Sequence, residues 1–181
     1  MVSRLVRLPM QGALDALAEH VRGRIAKDRS VLIVTASLPA GKFFEHFQDR
    51  GVDINRVFVV DAVSSRGGID VKGDPERVHF VPAPTLLELI AKRAEKIIRT
   101  KAQGAPHIVV FSANAFAMYN EPETLEELVR YTINTLVPAK VRIDIVVEDG
   151  VPIPKRLLTF LESFLDEQLR LKAPSGSDTA A

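Results

Sequence analysis

The sequence predicts a three-layer α/β domain, an open and mostly parallel sheet with helices on both faces. Three observations carry this. Four short runs, VLIVTA (Val31 to Ala36), RVFVVDA (Arg56 to Ala62), HIVVF (His107 to Phe111) and VRIDIVV (Val141 to Val147), are β-branched and almost continuously apolar. A strand with one wet face alternates polar and apolar residues, so runs like these belong to strands covered on both sides. Between them lie segments with apolar residues at spacings of three and four, the mark of amphipathic helices. Strand and helix in alternation give βαβ units, whose crossovers are right-handed in about 98% of cases.

Taken in chain order, Leu14, Leu17, Ala18, Val21 and Ile25 mark a helix from about Gly12 to Lys27. The first strong strand follows it. Pro39 then starts a helix that carries Phe43, Phe44 and Phe47 and stops at Gly51, where a left-handed cap is expected. The second strong strand ends in Asp61, and Ser64 to Arg77, rich in Gly, Ser and charge, reads as a mobile loop. Val78 to Val81 gives a short strand before a helix from about Thr85 to Thr100 with Leu86, Leu87, Ile90, Ala94, Ile97 and Ile98 on its apolar side. After the third strong strand, Glu121 to Val137 is helical, with Pro122 in its first turn and Leu125, Leu128, Val129, Ile133 and Leu136 facing inward. Pro138 closes it before the fourth strong strand. A helix from Pro154 to about Leu165 comes last, and Gln168 to Leu171 either continues it or forms an edge strand. No linker divides the chain, so residues 1–171 read as one domain and 172–181 as a polar, disordered tail.

Composition narrows the function classes. With 24 basic and 23 acidic residues, a net charge of +1 supplies no global field toward nucleic acid or anionic lipid. Hydrophobic residues at 46% and charged residues at 26% are ordinary for a globular chain. The absence of cysteine removes disulfides and thiolate chemistry, and no apolar run approaches the roughly 20 residues that cross a bilayer. A cytoplasmic location and no membrane partner are the expectations.

The succession VLIVTASLPAGKFFEHFQDRGVDINRVFVVDAVS, TLLELIAKRAEKIIR, HIVVFSANAFAMYNEPETLEELVRYTINTL, VRIDIVVEDG and IPKRLLTFLESFLDEQLRL resembles the later part of a KaiC-like domain of the RecA superfamily. It is similar in particular to small, mostly archaeal KaiC-like proteins that lack the nucleotide-hydrolysing motifs and start a helix with YN-x-PET. The resemblance covers Ser30 to Leu171 and implies a RecA-like sheet. It also locates three groups that ATP-hydrolysing members need: a Gly-rich loop and lysine for the phosphates, an acidic residue for magnesium, and a glutamate pair for water. The phosphate loop falls within Arg4 to Gly23, where Gly12 and Gly23 are the only glycines and no Gly-Lys-Ser/Thr occurs. Ser37 and Leu38 stand in the place of the glutamates, and Phe111 in that of the aspartate. ASLPAGKF (Ala36 to Phe43) also fails as a phosphate loop, with Ala36 for the first glycine and Phe43 for the metal-binding hydroxyl.

The expected function is therefore a non-catalytic interaction or regulatory module without ATP hydrolysis, bound to itself or to another protein. The alternative is a sensor that takes a nucleotide or another small polar ligand at the carboxyl ends of the strands, where ligands of open α/β sheets collect. The residues for that site are Thr35, Ser37, Lys42, Asp61, Ser64, Ser112, Asn114 and Glu148, with Asp149 beside them. Set against it, the same hydroxyls and carboxylates cap helices and satisfy loop backbone groups. No cofactor is expected, ATP entering only with the alternative. His20, His46, His79 and His107 are far apart in sequence without an i, i+4 pair, so no zinc site is expected, and His107 and His46 read as exposed or partly buried. No motif orients a serine for hydrolysis. The basic run Lys92, Arg93, Lys96, Arg99 and Lys101 has no interleaved aromatics and reads as a solvated helix face, with no nucleic-acid partner.

Overall fold

The computed structural model describes residues 2–64, 76–102, 104–136 and 141–173. The expected mobile loop lies outside them except for Ser64, Glu76 and Arg77, as does the tail beyond Ala173. Seven strands form one sheet: β1 (Ser3–Leu8), β2 (Val31–Thr35), β3 (Val57–Asp61), β4 (Val78–Phe80), β5 (His107–Phe111), β6 (Arg142–Glu148) and β7 (Glu167–Arg170). Their order is β4-β3-β2-β5-β6-β1-β7, and every pairing is parallel. The helices are α1 (Ala13–Ile25), α2 (Ala40–Asp49), α3 (Leu87–Thr100), α4 (Ala113–Ala117), α5 (Pro122–Leu136) and α6 (Lys155–Phe164).

Because side chains alternate along a strand, each central strand feeds two cores. Val31 and Ile33 of β2 pack with Val59, Val109, Val6 and Leu8 against Leu17 and Val21 of α1 and Phe43 and Phe47 of α2. Leu32 and Val34 join Ile108, Ile143 and Ile145 on the other face, under Ile90 and Ile97 of α3, Leu125 and Ile133 of α5, and Leu157 and Leu161 of α6. The continuous apolar strands of the sequence are thus explained by two covered faces.

The structure adds to the sequence reading at three points and corrects it at one, Leu86. Ser3–Leu8 is a strand although SRLVRL carries two arginines, because Arg4 is 7% exposed and neutralised by a buried acid. Residues after β5 form the short helix α4, which was not expected from periodicity. Leu86, placed on the apolar side of α3, is 43% exposed and precedes its first turn. Of Gln168 to Leu171, left open between helix and strand, the first three residues lie in edge strand β7, which pairs with β1 in parallel. Leu165 ends α6 in an extended conformation, and Asp166 fixes the turn by accepting from the Ser3 backbone N–H and hydroxyl, both at 2.8 Å.

Candidate functional site

At the carboxyl ends, register sets Thr35 beside Asp61 on one side and Phe111 on the other. Thr35 Oγ1 donates to the Leu38 carbonyl (3.1 Å) and accepts from the N–H groups of Ser37 (3.3 Å) and Leu38 (3.2 Å). Asp61 is 0% exposed and has four donors: Ala40 N–H (2.8 Å) and the Ser64 hydroxyl (2.6 Å) on Oδ2, and the N–H groups of Val63 (2.8 Å) and Ser64 (2.9 Å) on Oδ1. A carboxylate at the first turn of α2 also complements the positive end of that helix. Ser112 caps α4 by accepting from Ala115 N–H at 3.3 Å. Asn114 accepts from Glu148 N–H (2.9 Å) and donates to the Val151 carbonyl (2.8 Å), fastening α4 to the segment after β6. Asp149 faces Arg7 (3.7 Å) and Arg170 (3.6 Å).

The structure therefore gathers Thr35, Asp61 and Ser64 around the start of α2, and Asn114 with Glu148 at the end of β6. Ser37 is exposed, and Lys42 lies apart on the outside of α2, paired with Glu45 at 2.9 Å.

The β1-to-α1 connection is residues 9–12 alone, four residues ending in Gly12 at φ +69°. That left-handed conformation suits glycine, and a Cβ there would sit 3.0 Å from the Ala173 side chain. Met10 lies against Gly150, with its sulfur 2.8 Å from where a Cβ would be. The first turn of α1 carries Asp15, whose Oδ1 is 2.7 Å from an Arg50 guanidinium nitrogen and 2.8 Å from His46 Nε2, close contacts that are poorly aligned as hydrogen bonds. A second anion at this helix start would meet that carboxylate. Phe111 is buried and edge-on to Phe43, with ring centroids 5.2 Å apart. Among the described residues, exposed apolar side chains also gather at this end: Met10 is 71% exposed, Met118 at the end of α4 74%, and Val151 39%.

A second cluster lies at the opposite, amino ends of the strands. Asp144 of β6, 0% exposed, accepts from Arg4 Nε (2.9 Å) and Nη2 (3.0 Å) and lies 2.6 Å from both His20 Nε2 and His107 Nε2. An ionised carboxylate offers acceptors only, so both imidazoles donate through Nε2. Burial pushes the Asp144 carboxyl up, but hydrogen bonds from His107, His20 and Arg4 outweigh it and hold it far below the usual carboxylate range. Burial pushes His107 down, against the pull of Asp144, which keeps the ring neutral and leaves its buried Nδ1 without a partner. His107 is 0% exposed, which corrects its reading as exposed or partly buried.

Histidines distant in sequence thus meet at one acid, a convergence with no sequence signal because it needs α1 and two strands to come together. The three ligand-type atoms lie within 4.8 Å of one another. Two features fit a hydrogen-bonded ion network better than a metal centre. Ligands about 2.0 Å from a tetrahedral ion stand about 3.3 Å apart, whereas these contacts are 2.6 Å. The Arg4 guanidinium also occupies both carboxylate oxygens, where a divalent ion would add charge of the same sign.

No family model matches the sequence, and no curated protein matches it. Among solved structures, an uncharacterized protein from Pyrococcus horikoshii, crystallised in complex with an unknown peptide, is similar over 93% of this chain and 76% of its own, at 16% identity and a TM-score of 0.65. A KaiC-like protein from the same hyperthermophilic archaeon is similar over 96% and 73%, at 12% identity and a TM-score of 0.61. The flagellar accessory protein FlaH from Methanocaldococcus jannaschii is similar over 93% and 70%, at 15% identity and a TM-score of 0.53. No helix among the described residues is long and apolar enough to cross a membrane. The strand order, the two helical layers and these likenesses agree on one conclusion: this chain has the fold of KaiC-like, RecA-type domains.

Proposed function

We propose that this chain is a KaiC-like domain that works by binding a protein, another chain or a second copy of itself, and does not hydrolyse ATP. The observation that carries the reading is the β1-to-α1 connection. The resemblance assigns the phosphates to this turn, yet it has four residues, no lysine and no hydroxyl, with Ala173 against Gly12, Gly150 against Met10 and the Asp15 carboxylate in the helix turn that follows. A triphosphate needs converging N–H groups and positive charge; this turn supplies neither in quantity. Phe111 at the end of β5 cannot ligate magnesium, and Ser37 and Leu38 cannot act as bases.

Support for a protein partner comes from the same end. Thr35, Asp61, Ser64, Ser112 and Asn114 there are engaged internally, while Met10, Met118 and Val151 face solvent, and adaptable methionines are frequent on binding surfaces. A neighbour in fold carries a bound peptide.

The test is thermal unfolding with ATP, ADP or GTP, in magnesium and in EDTA. A ligand at 100 times its dissociation constant adds about 2.7 kcal/mol, a readily measured shift. The proposal expects none with any nucleotide. A magnesium-independent shift would establish the alternative, a sensor that holds a nucleotide at the strand ends, and ATP turnover abolished by one substitution in this chain would overturn the non-catalytic reading.

A further inference from the structure

Among the described residues, the face of the sheet under α3, α5 and α6 is incompletely filled. A cavity of about 60 Å³ lies between α3 and α5 over the middle of the sheet, lined by Ile108 and Val110 of β5, Ile145 of β6, Ala94 of α3 and Leu128 and Thr132 of α5 among others. β5 is the fourth of seven strands, yet Val110 is partly exposed, as are Ala91, Leu128 and Thr132. The helical layer therefore has a slot above the central strand. Small residues hold it open: Ala91 and Ala94 line it on a helix whose other inward positions are Leu87, Ile90, Ile97 and Ile98.

Water is a poor occupant. A buried water needs roughly 10–15 Å³ and two to four polar partners. The slot has the volume for about four waters by that measure, but Thr132 is the one polar side chain among its described lining residues. The same volume holds a guest of about four heavy atoms, whose surface the aliphatic walls match.

We propose that the slot between α3 and α5 binds a compact, non-polar aliphatic molecule of about four heavy atoms. This is independent of the protein-binding reading, since the slot opens through the helical layer and not at the carboxyl ends of the strands. At that size the affinity is about 40 μM at the tightest.

The experiment is methyl-region NMR of the full chain under xenon pressure and with dissolved butane. Saturable shifts confined to the methyls of Ile90, Ile108, Ile145 and Leu128 are expected with both probes. Ala94→Leu, which fills the slot, is expected to weaken binding at least tenfold while the protein melts no lower than wild type. Should that variant fail to fold, Ala91→Val at the mouth makes the same test. Shifts that do not saturate, that spread over methyls outside the slot, or that persist undiminished in the folded variant would overturn the assignment.

Discussion

Asp144 shows how far one side chain can depart from its appearance in sequence. In VRIDIVV it is a lone acid in an apolar strand; in the fold it is the shared acceptor of Arg4, His20 and His107. Asp144→Ala leaves the Arg4 guanidinium, 9% exposed in its side chain, without a counter-charge, and breaking such a pair costs about 3–5 kcal/mol. Urea unfolding should show that loss in the midpoint, and an unchanged midpoint would mean that the pair contributes nothing. The histidine makes a second prediction. His107 is held below its ordinary pKa by burial, so the unfolded chain binds its proton first as pH falls. Its contribution is complete above about pH 6.5 and is lost progressively on acidification below that, at up to about 1.4 kcal/mol per pH unit. The melting temperature of wild type should therefore fall more steeply between pH 7 and 5 than that of His107→Gln; equal slopes would contradict it. Position 79 is pushed down in the same direction, by burial first and then by Lys101, Arg93 and Lys96, so a smaller residual slope remains in the variant.

Strand ends decide what the elements can do. Phe111→Asp restores the residue type that the resemblance places at the end of β5, but there the carboxylate would meet Phe43 in a closed core. The variant is expected to unfold at markedly lower urea and to gain no magnesium-dependent nucleotide binding, both read in one titration series. Asn114→Ala removes two bonds that fasten α4 to the end of β6 and should cost about 1–3 kcal/mol. The strong strands and the helices flanking them were legible because their apolar periodicity has a single physical cause, burial on one face or two. β1 was not legible: a short run with arginines at 4 and 7 around Leu5 and Val6 shows neither strict alternation nor a continuous apolar stretch, and the counter-ion that buries Arg4 is 140 residues away. The candidate site was legible as a list of hydroxyls and carboxylates, whereas their engagement by Ala40, Ser64 and Val151 backbone groups depends on loops that no periodicity describes.

For the whole molecule, chain order and spatial order differ in a way that constrains stability. The N-terminal strand sits between β6 and β7, both from the last quarter of the chain, so the sheet closes only when its two ends meet. Ending the chain at Leu165 removes β7 and exposes the backbone of β1 as a new edge. Such a protein is expected to self-associate in light scattering, where the chain of 181 residues at the same concentration scatters less. The parallel architecture itself followed from composition and run length, while the order of the seven strands required the fold.

The carboxylate at position 144 draws its donors from positions 4, 20 and 107. None of these contacts is local, so a partly assembled chain collects almost none of the benefit while already carrying the cost of desolvating the charges. Intermediates with one edge of the sheet missing are penalised in proportion, and unfolding followed by fluorescence-independent probes, such as far-ultraviolet dichroism and amide exchange, should collapse onto one transition. In this protein a single acid works as a checksum on the topology.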